Sequence, residues 1–217
     1  MNNFDGICIQ LGLYRSADYI CLSYPDFDKN DPKATAGEHD YPIFKELGVN
    51  RFRYIGVDCC PVSIEHMYAT YAHEIANYYA EFLQAFIYQE SGVIASFPYD
   101  LDYSKGFDPT TARWRKMTTL GFGDLLDYYT PCKIDLVVMD IEGSELGVLR
   151  NYDFPIRPRF MEVELHEVVW QTITIQDFML IMAAKGYECV SRYVEDDRPD
   201  DKIVQALFRD TRSLDAV

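Results

Sequence analysis

Residues 133–150, KIDLVVMDIEGSELGVLR, constrain the fold more than any other part of the chain. They read as a short apolar run ending at Asp140, an acid–glycine–small turn, and the start of an amphipathic helix. A buried strand feeding a helix is the unit of a parallel α/β sheet, whose strands are near-continuous apolar runs. Open α/β sheets bind their ligands outside the carboxyl ends of the strands, where this run delivers Asp140. A second run, residues 159–167 (RFMEVELHE), also ends in carboxylates and a histidine. Two strands bringing acids to one rim point to a small-molecule site and to an enzyme.

The rest of the chain is consistent with a single α/β domain spanning residues 1–217, a length usual for one such domain. A hydrophobic share of 48% is enough for a sizeable core. The net charge of −15 argues against non-specific nucleic-acid binding, which needs basic patches to neutralise phosphates. The apolar runs fall far short of the ~20 residues that span a bilayer. The opening MNNFDGICIQLG has neither a basic leader nor a signal-like core, so a cytoplasmic location is expected. None of the six cysteines forms a CxxC pair, and no zinc site or disulfide framework is expected. Residues 26–31 (DFDKND) imitate the start of a calcium loop but lack its glycine and its closing glutamate.

Strands and helices alternate along the chain. Strands are expected over residues 7–13, 52–57, 82–88, 93–97, 135–139, 160–165, 187–193 and 203–208. Pro61 opens a helix whose apolar stripe (Ile64, Met67, Tyr68, Tyr71, Ile75, Tyr78, Tyr79) is continuous at helical spacing. His66 and His73 belong at the edge of that stripe. A short helix is expected over 42–47 and another over 122–129. Thr174 and Asp177 read as a capping box opening a helix that Gly186 stops. The last two strands are joined by a short polar connection and must be antiparallel, because a parallel pair needs a long crossover. Residues 25–48 and 98–117 read as polar loops of the kind that shape a substrate site. The sheet is therefore mostly parallel, with helices on both faces and an antiparallel hairpin at its C-terminal end.

The segment 117–150 resembles the core signature of FkbM-type S-adenosylmethionine-dependent methyltransferases. The matching residues are Thr119-Leu120, then Asp140-Ile141-Glu142-Gly143-Ser144-Glu145, then Val148-Leu149, followed by Glu164-Leu165-His166 and preceded by Asp58 and Pro61. The resemblance implies the class I methyltransferase (Rossmann-like) fold with its seven-stranded sheet. It also implies S-adenosylmethionine as cofactor and methylation of a hydroxyl on a small molecule or saccharide. One part departs from the family's pattern. The first motif, usually Asp-x-Gly-x-Asn-x-Gly, is here Gln10-Leu11-Gly12-Leu13-Tyr14-Arg15-Ser16, with one glycine and no acid, which implies a wider or differently shaped turn.

On this reading Gln10, Gly12 and Asp58 bind the cofactor, with Asp58 accepting from the ribose hydroxyls. Asp140 and His166 are the catalytic candidates. Asp140 would orient the acceptor hydroxyl, and His166 would take its proton as a base near neutral pH. Glu142 and Glu145 read as first-turn acids that favour the helix dipole. Met161, Val163 and Leu165 alternate with Glu162, Glu164 and His166, so the polar three share one face. Two other functions compete. A haloacid-dehalogenase-type phosphatase would share the strand–Asp–x–acid–Gly motif, but that motif opens its fold, whereas four strands precede it here. A methyltransferase-like module without cofactor would explain the departure around Gly12, since fold alone does not establish function.

Overall fold

The computed structural model describes residues 4, 6–13, 17, 19–20, 52–77, 79–98, 114–129, 133–141, 143–166, 173–194 and 203–212, with the backbone alone at 97, 98, 166 and 193. The apolar runs of the sequence become its parallel strands. These are β1 (Gly6–Leu11), β2 (Phe52–Asp58), β3 (Ala80–Gln84), β7 (Ile134–Met139) and β8 (Phe160–His166). With β9 (Tyr187–Val194) and β10 (Ile203–Asp210) they form a seven-stranded sheet of order β3-β2-β1-β7-β8-β10-β9. Neighbours from β3 to β8 run parallel, whereas β10 is antiparallel to both β8 and β9. This is the sheet expected of the class I methyltransferase fold, with its inserted antiparallel strand. The order reverses between β1 and β7, and open α/β sheets bind ligands at the carboxyl ends of strands flanking such a reversal.

Each face of the sheet carries its own core. On one side Ile9, Leu11, Ile55, Val57, Val137, Met139, Met161, Val163 and Leu165 pack beneath α3 (Phe122–Tyr128), α4 (Glu145–Asn151) and α5 (Ile175–Ala184). On the other side Cys8, Tyr54, Leu136, Val138 and Phe160 meet Leu13, Tyr19, Ile20 and α1 (Pro61–Thr70). Both faces are covered, so a polar residue on a central strand needs a partner. Glu162 has one, the Tyr19 hydroxyl, which donates to Oε2 at 2.5 Å. That bond assigns the polar row of β8 to the face holding Tyr54 and Val138.

Three expectations are corrected. The stripe from Ile64 onward is not one helix. α1 stops at Tyr71 (φ −109°, ψ 31°), and a short α2 (Ala72–Ala76) follows. The ring of Tyr71 stacks on Phe82 at 5.8 Å, a tertiary contact that outweighs local periodicity. His66 and His73 are exposed on these helices. The run expected over 82–88 is two strands. β3 ends at Gln84, the Ala85 N–H bonds to the Asp58 carbonyl at 3.0 Å, and β4 (Phe86–Tyr88) enters a second sheet. That sheet has the order β4-β6-β5, with β5 (Ile94–Pro98) antiparallel to β6 (Trp114–Gly121). Residues 114–117 therefore lie in a strand rather than a loop. Residues 25–48 and 99–113 lie outside the described residues, as does the helix expected over 42–47.

The capping box is present as read. The Asp177 N–H donates to the Thr174 hydroxyl oxygen at 3.1 Å, and the Thr174 N–H donates to Asp177 Oδ2 at 2.9 Å. Gly186, at φ +83°, ends the segment. No helix among the described residues is long and apolar enough to cross a membrane.

Candidate active site

Strand register places the sequence-derived candidates in rows. Gly56 in β2 pairs with Gln10 in β1, Gln10 with Val138 in β7, and Val138 with Glu162 in β8. Two residues further toward the carboxyl ends, the same face presents Asp58, Gly12, Asp140 and Glu164, and Glu164 pairs with Gln205 of β10. The Asp140 N–H bonds to the Leu11 carbonyl at 2.9 Å, and the Gly12 N–H to the Val57 carbonyl at 2.9 Å, so the ladder continues past both strand ends. Asp58, Gly12 and Asp140 thus sit side by side on three adjacent strands at the sheet's order reversal.

At Gly12 the chain after β1 closes against the backbone that follows β7, and residues 14–16 of this motif lie outside the described residues. Gly12 has φ +83°, and a Cβ there would stand 1.6 Å from the Asp140 carbonyl oxygen. No side chain fits, so the one glycine retained in this motif is the one the backbone contact demands. Gln10 is 3% exposed, and its Oε1 accepts from the Tyr54 hydroxyl at 2.7 Å. Its Nε2 lies 3.4 Å from the Gly12 carbonyl. The amide that replaces the family's acid therefore ties β1 to β2 beneath the turn.

Asp58 joins two turns. The Leu13 N–H donates to its Oδ2 at 2.9 Å and the Cys60 N–H to its Oδ1 at 2.6 Å. Cys60 is the N-cap of α1, so the carboxylate also serves the start of that helix. A carboxylate accepts at roughly four lone-pair positions. Bracing the turns and accepting from a ligand are therefore compatible. Beside it, burial and then the charge of Asp58 raise the Cys59 thiol far above its ordinary pKa, which keeps it protonated. It is no nucleophile at neutral pH.

Glu145 turns out to do more than favour a helix dipole. It is 0% exposed, and its Oε1 accepts from the Ile141 N–H at 2.8 Å and the Gly143 N–H at 3.2 Å. The first residue of α4 thus reaches back to shape the loop that follows Asp140. Gly143, between the two ends of that loop, has φ +95°. Glu142 lies outside the described residues. His166 ends β8 opposite Ile203 of β10, so its backbone stands at the same rim, one strand from β7. Its side chain lies outside what is described. Thr119 is buried and structural. Its hydroxyl donates to the Glu90 carbonyl at 2.7 Å and accepts from the Val93 N–H at 3.1 Å, which pins the β4–β5 turn. Among the described residues, no group of three or more His, Cys, Asp or Glu is placed to hold a metal ion.

The model of the FkbM methyltransferase domain matches residues 38–189, more than half of the chain. The chain belongs to the FkbM methyltransferase family. S-adenosylmethionine is the methyl donor of that family. No curated protein matches the sequence. Among solved structures, the chain is similar to the FkbM methyltransferase of Methylobacillus flagellatus, at 11% identity and a TM-score of 0.47. The likeness covers 95% of this chain and 44% of that one, so the chain spans less than half of that protein's length. It is also similar to the N-methyltransferase NodS of Bradyrhizobium japonicum, at 10% identity and a TM-score of 0.46, over 94% of this chain and 85% of that one. A third is TYW2 of M. jannaschii, solved in complex with AdoMet, at 10% identity and a TM-score of 0.39, over 96% and 71%. The matched segment includes Asp58 and Asp140, and Gly12 precedes it.

Proposed function

We propose that this FkbM methyltransferase transfers the S-adenosylmethionine methyl group to a hydroxyl of a small molecule or saccharide, with Asp140 and His166 at the reacting end. The observation that carries the reading is the alignment of Asp58, Gly12 and Asp140 across three adjacent strand ends in a chain of this family. The donor set suits the cofactor. Asp58 offers acceptor oxygens to two ribose hydroxyls, as acids at the second strand do in dinucleotide sheets. Gly12 gives a turn without a side chain under the methionine end, above Gln10. The acids of the rim favour a ligand that carries sulfonium and ammonium charges.

The bound sulfonium supplies an activated methyl group. The protein's own task is to hold the acceptor in line and to take one proton. Asp140 orients the acceptor hydroxyl, and His166 receives its proton. We place the reaction in the cytoplasm, a compartment that keeps thiols such as those of Cys59 and Cys189 reduced.

The test is transfer from methyl-labelled S-adenosylmethionine to panels of glycosides, phenols and amines. Label in an acid-stable ether on a hydroxyl acceptor supports the reading, and label only on amines contradicts it. With a working acceptor, turnover is expected to fall below a pH near ~6.5, the ordinary histidine value. His166→Ala should lower it about 100-fold. An unchanged rate and pH profile would remove His166 from the chemistry. The replacement of the first-motif acid by Gln10 favours one other reading, a module that has lost its cofactor. Absence of S-adenosylhomocysteine binding would select it.

A further inference from the structure

The polar row of β8 contains a residue that the catalytic pair leaves unused. Val163 and Leu165 are fully buried in one core, so Glu164 between them projects from the opposite face. The Tyr19–Glu162 bond identifies that face as the one carrying Gln10 and Val138. Along β7 and β8 the last paired residues are Met139 and Val163, so Asp140 and Glu164 stand level, one residue beyond. Adjacent strands are about 4.8 Å apart. Glu164 is therefore the next side chain along the rim after Asp58, Gly12 and Asp140, on the side away from the ribose end. It is also held firmly, because β8 is hydrogen-bonded to β7 on one side and, through the Gln205–Glu164 pair, to β10 on the other.

We infer that Glu164 faces the group being methylated, and that with Asp140 it forms the anionic wall of the methyl-transfer position. This rests on the proposed function and deepens it. Two carboxylates one strand spacing apart accept hydrogen bonds and donate none when ionised. They select an acceptor with neighbouring donors, such as a vicinal diol of a saccharide, and they favour positive charge at the point where the methyl group departs.

The test needs no knowledge of the acceptor. Sinefungin carries a protonated amine where S-adenosylmethionine carries its methyl group, whereas S-adenosylhomocysteine carries nothing there. Calorimetric titrations of both ligands into the wild-type protein and Glu164→Gln should separate the positions. Sinefungin binding is expected to weaken about tenfold or more in Glu164→Gln, the scale of losing a hydrogen bond between charged groups. S-adenosylhomocysteine should bind both proteins alike, which also shows that the variant is folded. Glu164→Asp should restore part of the sinefungin affinity. Equal sinefungin affinity in wild type and Glu164→Gln overturns the inference and leaves the proposed function standing. Parallel losses for both ligands also overturn it, since Glu164 would then support the fold of the site. Failure of the wild type to bind S-adenosylhomocysteine would instead remove the proposed function, and the inference with it.

Discussion

The two ends of the central sheet both bury acids, but they hold them in different ways. At the amino end of β7, Asp135 is fully buried 2.7 Å from Lys133 Nζ and 3.9 Å from Arg159. Nearby, Asp210 receives Arg157 through both carboxylate oxygens, and Arg157 also donates to the Lys185 and Gly186 carbonyls and lies over the Tyr187 ring. At the carboxyl end, Asp58 and Glu145 accept from the backbone N–H groups of Leu13, Cys60, Ile141 and Gly143. An ion pair offsets a carboxylate's charge, whereas backbone amides fix its position. The amino rim is a lock for the fold, and the carboxyl rim is, under the proposed function, a fixed surface for a cationic cofactor. Each rim even has its own glycine contact. A Cβ on Gly6 would meet the Asp135 carboxylate at 2.1 Å, and one on Gly12 would meet the Asp140 backbone at 1.6 Å.

The glycines give the largest expected effects. Gly12→Ala forces a side chain into backbone at a positive φ, and should cost more than about 4 kcal/mol or prevent folding. Gly6→Ala meets only the end of a side chain and should cost about 1–3 kcal/mol. Denaturant melts that rank them the other way would break the comparison. Arg157→Ala comes next. It strands Asp210 without its partner and should cost about 3–5 kcal/mol of stability. Affinity for S-adenosylhomocysteine in the folded fraction should not change, and a weaker affinity would mean that the two rims are coupled. Asp58→Ala acts at the other rim and should lower cofactor affinity by about 1.5–3 kcal/mol, the value of a hydrogen bond to a charged group, besides the cost of freeing the Leu13 and Cys60 N–H groups. An equal affinity in the folded variant would take Asp58 out of the site. The smallest effect belongs to α5, away from both rims. Thr174→Ala should cost about 1 kcal/mol through loss of the cap. The hydrogen bonds from the Thr174 backbone and hydroxyl lower the Asp177 pKa. This contribution is therefore present above the ordinary carboxylate pKa of about 3.9 and lost as pH falls through the depressed value. A variant whose stability deficit persists unchanged to low pH would contradict that assignment.

Legibility followed the kind of signal each element carries. Buried parallel strands such as β7 announce themselves as apolar runs, and the box at Thr174 and Asp177 is a local pattern satisfied by local bonds. The break at Tyr71 was not legible, because it depends on Phe82, which arrives from another strand. β6 was hidden because Trp114, Arg115 and Lys116 are exposed and polar enough to read as loop. At the site, Asp58 and Asp140 could be placed from strand ends alone. The reason for Gly12 could not, since it lies in the backbone of a residue 128 positions later in the chain. Glu145 looked like a surface acid of a first helical turn, and only the folded loop reveals the two N–H groups it serves. Glu164 was visible as part of an alternation, but its level beside Asp140 is a matter of register, which no single strand contains.

The most direct test of the carboxyl rim as the cofactor surface is a calorimetric titration of the wild-type protein with S-adenosylhomocysteine, alongside a thermal melt. The expected result is one saturating site and a melting temperature that rises with ligand concentration, as mass action requires of a ligand that binds the native state. Neither heat nor a thermal shift at millimolar ligand would contradict the account.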